Sequence, residues 1–300
     1  MHDLIIIGAG PAGITASVYA SRKKMDFLVI TQDIGGQAAW SGDIENYTGY
    51  QFITGPELTA KFEEHMKKYG SIVKEGEEVL EAGRDSDGIR VKTAKDEYRA
   101  KTLIIASGKV SRELGVPGEK EFKNRGLTYC ATCDGPLFSA KDVAVIGGGN
   151  SALDAALQLV KIARSVHIIN NTGRLGGDAV MREKIEAHPI VRIYNNATVT
   201  AIIGDTFVKA IRLRAGEKNV ELAVQGVFVE IGLVPNSGFA KDVEKNSLGE
   251  IRVNCRNETS VPGIFAAGDV TDVPEKQIII AAGEGSKAAL AAFKYISHAR

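Results

Sequence analysis

The sequence predicts an α/β protein built from two domains of the same type, the second inserted into the first. Two glycine-rich turns, at residues 8–13 and 147–152, each follow an apolar run and precede a stretch of small, helix-forming residues. This strand–turn–helix order is what makes a glycine fingerprint specific for dinucleotide binding. The length of 300 residues also favours two domains over one. We therefore expect two Rossmann-like dinucleotide-binding domains.

The first turn, Gly8-Ala9-Gly10-Pro11-Ala12-Gly13, lies between a predicted strand at residues 4–7 and a predicted helix at residues 14–22. A second strand is expected at residues 26–30, which completes a β-α-β unit. The glycines of such a turn permit a tight bend, close approach of a pyrophosphate and close packing of the helix on the strand. The helix N-terminus offers free N–H groups to the phosphates.

The same pattern recurs with a strand at residues 142–146, a helix at 153–162 and a strand at 165–169. In this second turn Ala152 replaces the third glycine, a substitution that the fingerprint tolerates.

Segments that resemble linkers separate the two units. Strands that run into small-residue turns precede Gly108 and Gly232, and a Gly-Pro-rich stretch lies at residues 114–118. We predict that residues 1–112 and 245–300 form the first domain and that residues 113–244 form the inserted one.

The composition is that of an ordinary globular protein, with 44% hydrophobic and 25% charged residues. The 37 basic and 37 acidic residues cancel, which argues against nucleic acid or an anionic membrane as a general partner. The apolar run at residues 4–7 is far shorter than the ~20 residues of a membrane span and ends in a glycine turn, so we interpret it as a buried strand. We expect a cytoplasmic protein.

A pair of cysteines stands before the second glycine turn, in Cys130-Ala131-Thr132-Cys133-Asp134. With 3 cysteines the chain is no disulfide framework, and a zinc site normally needs four ligands. A redox dithiol is favoured over zinc, because two thiols at this spacing can close a small disulfide ring. Asp134 is either a proton shuttle or a solvated turn residue. Cys255 is interpreted as an ordinary packed or surface residue.

Several further motifs accompany the fingerprints and the cysteine pair: Gly35-Gly36-Gln37, Glu45-Asn46-Tyr47, Ala106-Ser107-Gly108, Gly268-Asp269 and Lys276-Gln277. Their order is that of the low-molecular-weight thioredoxin reductases, which the chain resembles over essentially all of its length. The resemblance implies FAD in the first domain and a nicotinamide nucleotide in the inserted one. It also implies a thioredoxin or thioredoxin-like partner and a homodimer.

The resemblance also implies which residues line the FAD site. They are Gly8, Gly10, Pro11, Ala12, Gly13, Thr31, Gln32, Gly35, Gly36, Gln37, Asn46, Ala106, Gly108, Gly268, Asp269, Lys276, Gln277 and Ile278. Asp269 would bind the ribityl chain or a phosphate, its alternative being an Asx turn, and Gln277 would approach the ring. Thr31 stands where many dinucleotide folds have an acidic ribose ligand. Trp40 would either cover the flavin or pack between domains.

For the chemistry, the resemblance implies that Cys133 faces the flavin, Cys130 attacks the partner disulfide and Asp134 serves as acid and base. A reduced flavin can pass two electrons to a disulfide, and a freed thiolate can attack another disulfide.

The chain departs from the family in the inserted domain. Family members that use NADPH carry a His-Arg-Arg-type run after the second strand, where Asn170-Asn171-Thr172 stands here. Neither cations for a 2′-phosphate nor an acid for an NAD ribose is present at that point. Residues 276–285 resemble the reductase portion of the NADH-dependent alkyl hydroperoxide reductase flavoprotein. We therefore expect NADPH to be a poor donor and place ferredoxin, or another non-nicotinamide donor such as a reduced deazaflavin, ahead of NADH.

The function predicted is an FAD-dependent disulfide reductase acting on thioredoxin or a thioredoxin-like protein. One alternative is an NADH-dependent flavoprotein reductase of a peroxiredoxin system. Another is a non-catalytic flavin redox sensor, against which the intact Cys130/Cys133 pair argues.

Overall fold

Two compact units make up the chain: Met1–Val110 with Val234–Arg300, and Ser111–Leu233. The computed structural model describes residues 1–41, 43–44 and 46–298, without the side chains of Trp40, Asp43 and Cys133. Each unit is built around a sheet whose central strands are parallel, and the second unit is inserted into the first. The predicted α/β class is confirmed. Glu45 lies outside the described residues. The Trp40 side chain is not described either, so both of its predicted roles, covering the flavin or packing between domains, stay predictions.

The first unit opens with a β-α-β unit and continues through short strands. Its first segment contains β1 (His2–Ala9), α1 (Pro11–Arg22), β2 (Phe27–Ile34), a 3-10 helix (Gly36–Trp40), β3 (Asp43–Ile44), β4 (Ile53–Thr54), α2 (Gly55–Lys68), β5 (Ile72–Glu75), β6 (Val79–Asp85), β7 (Gly88–Thr93), β8 (Glu97–Ile105) and β9 (Lys109–Ser111).

The second unit repeats the α/β pattern and adds an antiparallel sheet. It contains α3 (Glu119–Phe122), β10 (Leu127–Thr128), α4 (Ala131–Asp134), a 3-10 helix (Gly135–Phe138), β11 (Asp142–Ile146), α5 (Asn150–Leu159), β12 (Ser165–Ile169), α6 (Ala179–Glu186), β13 (Val191–Tyr194), β14 (Ala197–Gly204), β15 (Val208–Ala215), β16 (Lys218–Ala223) and β17 (Gly226–Val229). The chain then returns through β18 (Leu233–Pro235), β19 (Ile264–Ala266) and α7 (Ile278–His298).

A seven-stranded sheet forms the centre of the first unit, in the order β5-β2-β1-β8-β7-β6 with β19 paired to β8. In this sheet β5, β2, β1, β8 and β19 are parallel to one another. Strand β7 pairs antiparallel with both β8 and β6. Side chains of β1 alternate between two cores: Leu4 and Ile6 pack on one face, Ile5 and Ile7 on the other. This burial on both faces explains why the strand is a continuous apolar run.

The second unit has a five-stranded parallel sheet in the order β10-β17-β11-β12-β13 and a three-stranded antiparallel sheet, β14-β15-β16. Its central strand β11 is buried, and α5 packs on it through Leu153 and Leu159. The parallel order brings the carboxyl ends of β11, β12 and β17 to one edge, where a doubly wound sheet binds its ligands.

The boundary of the inserted unit differs from the sequence-based one at its C-terminal end. The prediction placed residues 234–244 in the inserted domain, but they group with the first unit. The physical reason is that Phe239, Ala240 and Val243 are buried in the core that contains Ile5 and Ile7. The N-terminal boundary, at Val110 and Ser111, lies two residues from the predicted one.

Candidate functional site

The first glycine turn is built so that α1 lies directly against it. A Cβ on Gly13 would overlap the Gly8 carbonyl oxygen, and a Cβ on Gly8, at φ +100°, would overlap the Ala106 carbonyl oxygen. Gly10 is different, because among the described residues other than its chain neighbours one atom comes within 4 Å of its ideal Cβ, the Gly35 carbonyl oxygen at 4.0 Å. The turn therefore needs Gly8 and Gly13 for packing and leaves open space over Gly10, where a pyrophosphate would lie.

The N-terminus of α1 meets this space without a protein cap. Gly10 is the N-cap and makes no side-chain hydrogen bond to the helix, and the first turn of α1 has no acidic residue. Pro11 occupies the first helical position, where no N–H is needed. Ala12 packs beneath Gly268, whose ideal Cβ would lie 3.0 Å from the Ala12 Cβ. The free N–H groups and the helix dipole suit an anionic group at this end.

Thr31, predicted to stand near a ribose, has its hydroxyl engaged inside the protein. The Thr31 Oγ1 accepts a hydrogen bond from the Ala9 N–H at 3.2 Å and donates to the Asp33 carbonyl oxygen at 2.5 Å. It is 6% exposed, whereas the neighbouring Gln32 is exposed. Thr31 thus ties the end of β1 to β2, and the exposed side chain at this strand end is that of Gln32.

The 3-10 helix Gly36–Trp40 forms the next part of the site. An ideal Cβ on Gly36 would lie 3.3 Å from the Gly10 Cα, so this residue sits close to the glycine turn. The Gln37 amide nitrogen donates to the Lys109 carbonyl oxygen at 2.7 Å. Gly108, just before Lys109, has φ +63° and open space around its ideal Cβ.

Asn46 and Gln277 are joined across the first unit, because the Asn46 amide nitrogen donates to the Gln277 side-chain oxygen at 3.0 Å. Ile278, the next residue, begins α7. The fold therefore brings two predicted flavin-site motifs together that lie far apart in the sequence.

A cluster of charges surrounds Asp269, and sequence reasoning found only part of it. Glu250 is 7% exposed and pairs with the Lys109 ammonium at 3.1 Å and the Lys276 ammonium at 3.2 Å. Burial raises the pKa of Glu250, but hydrogen bonds from Asn246, Lys109 and Lys276 outweigh it and the pKa is lowered. Burial also raises the pKa of Asp269, only partly offset by the two lysines. Within the described residues no side-chain hydrogen bond engages Asp269, so its carboxyl group is available to a hydroxyl-bearing ligand.

Glu284 is a second site residue that the sequence analysis missed. It is 5% exposed, and its Oε2 accepts a hydrogen bond from the Gly268 N–H at 2.7 Å. This bond fixes the Gly268-Asp269 turn from beneath. A single acid among the alanines and glycines at the start of α7 was the signal that could have found it.

The second glycine turn has the fingerprint geometry, but its strand end offers no charged ligand. Asn170, at the end of β12, is 2% exposed, and its amide nitrogen donates to the Thr172 carbonyl oxygen and to Asn195. Its side-chain oxygen accepts from the Thr172 N–H and hydroxyl. The Gly148 carbonyl oxygen accepts from the Gly176 N–H at 2.7 Å. All hydrogen-bonding atoms of the Asn170 side chain are therefore used within the protein.

Cys130 is disulfide-bonded in the structure and Cys255 is free and exposed. The backbone of Cys133 lies in α4, while its side chain is outside the described set, so its pairing and role remain predictions. The Asp134 carboxylate accepts a hydrogen bond from the Thr128 hydroxyl, which itself accepts from the Cys130 N–H at 3.1 Å. Thr128, which the sequence analysis missed, thus links Asp134 to the backbone of Cys130. Asp134 also borders a cavity of about 370 Å³ within the second unit.

Glu230 stands at the end of β17, beside the second glycine turn: a Cβ on Gly147 would overlap the Glu230 carbonyl oxygen. Burial, together with the charge of Asp154, raises the pKa of Glu230 to about 8. This carboxyl group therefore holds its proton at neutral pH.

The fold and the two turns define a two-dinucleotide flavoprotein of the disulfide oxidoreductase class. The sequence profile of the pyridine nucleotide-disulphide oxidoreductase family matches residues 2–285, and the chain belongs to that family. FAD is the cofactor that this membership and the fold indicate, and the open cradle over Gly10 fits its pyrophosphate.

Comparisons with known proteins agree with this class. A solved thioredoxin reductase from Lactococcus lactis is 34% identical with a TM-score of 0.91, covering 99% of this chain and 100% of that one. The resemblance to low-molecular-weight thioredoxin reductases is thereby confirmed. The F component of the alkyl hydroperoxide reductase of Pseudomonas putida is 42% identical over 98% of this chain, and a protein named NADH dehydrogenase in Bacillus subtilis is 41% identical over 98%. The chain spans 58% of the length of each of these two relatives.

Membrane-spanning and metal-binding features were not found in the described part of the chain. None of its helices is both long and apolar enough to cross a membrane. The same residues contain no group of three or more His, Cys, Asp or Glu arranged to hold a metal ion.

Proposed function

We propose that this chain is an FAD-dependent disulfide reductase that passes electrons through Cys130 and Cys133 to thioredoxin or a thioredoxin-like protein, as a homodimer. The observation that carries the proposal is the disulfide at Cys130, in a Cys-x-x-Cys motif whose Asp134 is linked to the Cys130 backbone through Thr128. A positioned acid can exchange a proton with the thiols, so its place beside the motif suits an exchanging disulfide better than a structural one.

FAD, when bound and reduced by the electron donor, would supply two electrons for the reduction of a disulfide. In the proposal Gly10 and the N-terminus of α1 hold its pyrophosphate, and the Asp269 carboxyl group accepts from a ribityl or ribose hydroxyl. The Lys109–Glu250–Lys276 cluster holds the segment that carries Gln277 in place. The first unit, Met1–Val110 and Val234–Arg300, is thus the FAD domain, and Ser111–Leu233 carries the redox pair.

In the proposed exchange one disulfide bond forms for each disulfide bond that breaks. The Cys130 thiolate attacks the partner disulfide, forming a Cys130–partner bond and releasing the other partner sulfur as a thiolate. Cys133 then attacks the Cys130 sulfur, re-forms the intrachain disulfide and releases the second partner sulfur. In the proposal Asp134 takes the proton from the Cys133 thiol as this thiol attacks and passes it to the departing partner thiolate, and its contact with Thr128 keeps it beside the pair.

For the electron donor, we propose a ferredoxin or another non-nicotinamide reductant ahead of NADH, with NADPH disfavoured. Asn170 supports this order, because its side chain is buried and fully hydrogen-bonded at the point where a nucleotide ribose or 2′-phosphate is normally gripped. Arg forks on a phosphate make strong, charge-assisted hydrogen bonds, and none is offered at this strand end.

The second candidate function is an NADH-dependent flavoprotein reductase of a peroxide-reducing system. The names of the Pseudomonas putida and Bacillus subtilis relatives favour it. It uses the same cysteine chemistry and differs in donor and partner.

One anaerobic experiment separates these possibilities. The flavoprotein is mixed in turn with NADPH, NADH, reduced ferredoxin and reduced deazaflavin, and bleaching of the flavin absorbance is followed. We expect rapid bleaching with a non-nicotinamide donor and slow bleaching with micromolar NADPH, which would lack two or three bonds of about 1.5–3 kcal/mol each. Rapid bleaching by NADH alone would move the protein to the second candidate. Reduction of thioredoxin-type partners by Cys130→Ser at the wild-type rate would reject both.

A further inference from the structure

Helix α4, which begins directly after Cys130 and carries the backbone of Cys133, is only four residues long and depends on its neighbours for its position. An isolated helix of this length is unstable in water, because nucleation is not repaid by enough hydrogen bonds. One anchor is apolar: Ala131 is 6% exposed and packs in the core that contains Leu159 of α5.

The second anchor is polar and involves Thr132, the second of the two residues between the cysteines. The Thr132 hydroxyl donates to the Gln158 side-chain oxygen at 2.8 Å. The Gln158 amide nitrogen donates in turn to the Asp154 carboxylate at 2.9 Å. Because the Asp154 carboxylate can only accept, it fixes which end of the Gln158 amide faces Thr132. Thr132, Gln158 and Asp154 form a side-chain relay that ties α4 to α5 inside the second unit.

We propose that Gln158, oriented by Asp154, is a positioning residue that holds α4, and with it the Cys-x-x-Cys motif, in the conformation of the disulfide form. This inference rests on the proposed exchange at Cys130 and Cys133. The disulfide is present where the relay is formed. We expect that opening the ring loosens the backbone on either side of Thr132, so that the relay stabilises the disulfide form more than the dithiol form.

The consequence is thermodynamic. A hydrogen bond present mainly in one redox state shifts the equilibrium between dithiol and disulfide by its net free energy, and so shifts the reduction potential. Loss of the relay makes the disulfide easier to reduce. No partner protein is needed to observe this shift.

The test measures the redox equilibrium of the cysteine pair in the holoprotein, in glutathione buffers of varied ratio, by acid quenching, alkylation and mass counting. All variants carry Cys255→Ser, because Cys255 is free and exposed and would otherwise be alkylated as well. We expect Gln158→Leu to shift the equilibrium about three- to tenfold toward the dithiol. This corresponds to a rise in potential of about 15–30 mV, since a tenfold change is about 30 mV for two electrons.

Two matched variants make the result specific. Thr132→Val should give the same shift, and Thr132→Val with Gln158→Leu should give no more than either alone, since both remove one bond. The double variant Asp154→Asn/Gln158→Glu exchanges the amide and the carboxylate, so the new carboxylate accepts both from Thr132 and from the amide now at position 154. It keeps the net charge and should return to within about twofold of wild type.

The outcomes are distinct for the inference and for the proposed function. A Gln158→Leu equilibrium within twofold of wild type, additive shifts from Thr132 and Gln158, or failure of the exchanged pair to restore the wild-type value overturns the positioning role alone. A wild-type pair that does not equilibrate with any glutathione ratio overturns the proposed function as well.

Discussion

Glu230 provides a prediction whose size follows directly from the structure. Its pKa is raised from 4.5 to about 8 by burial and by the charge of Asp154. Between these pH values the folded protein holds a proton on Glu230 that the unfolded chain releases. Stability therefore falls as pH rises through this window, by up to about 1.4 kcal/mol per pH unit. Below pH 4.5 both states are protonated and no difference remains.

The perturbation is Glu230→Gln, which keeps the shape of the protonated acid and removes its titration. We expect the variant and the wild type to melt together near pH 5, and the variant to melt roughly 5–10 °C higher near pH 9, for a difference of a few kcal/mol. Calorimetric melting of the holoprotein at a series of pH values measures this. Glu217→Gln is the control, an identical change at an exposed site of the same unit. Parallel melting curves for Glu230→Gln and wild type from pH 5 to 9 would refute the reasoning.

Three further predictions concern the first unit. Flavin released by heat should be FAD and not FMN, because the open cradle over Gly10 suits a pyrophosphate; chromatography that finds FMN contradicts this. Gly10→Val should leave the melting temperature of the apoprotein unchanged and weaken FAD binding by about a hundredfold or more in a fluorescence titration. Gly13→Ala, whose new Cβ would overlap the Gly8 carbonyl oxygen, should instead destabilise the fold itself. Equal losses of melting temperature in the two variants would argue against the cradle. Glu250→Gln removes the carboxylate that pairs with both Lys109 and Lys276 in a buried place and should lower stability by about 3–5 kcal/mol at neutral pH. Since the Glu250 pKa is lowered, the difference from wild type should shrink in acid as the wild-type carboxylate is protonated. A difference that grows in acid would contradict this sign.

The sequence predicted most of the first β-α-β unit, because its strand, turn and helix are local patterns. The apolar run at residues 4–7 lies in β1, and the glycines of the turn sit where packing requires them. The C-terminal boundary of the inserted unit could not be found in this way. The sequence analysis placed residues 234–244 in the inserted domain, and only the burial of Phe239 against a distant strand assigns them to the first unit.

The site was predicted only in part, because local motifs can be recognised in a sequence and contacts between distant residues cannot. Motif residues such as Asp269 and Gln277 were recognised by their order along the chain. Their supporting residues, Glu250 and Glu284, carry no motif and are defined by contacts across the fold. The Gln158 contact with Thr132 joins positions 26 residues apart and has no sequence signal either.

The central claim is that electrons reach a partner through the Cys130 disulfide, and electron uptake tests it most directly. The flavoprotein is titrated anaerobically with dithionite, and the reducing equivalents consumed per flavin are counted from the absorbance. We expect uptake of two electrons for the flavin and two more for the disulfide in the wild type, and of two only in Cys130→Ser. Equal uptake of two electrons by the wild type and by Cys130→Ser would contradict it.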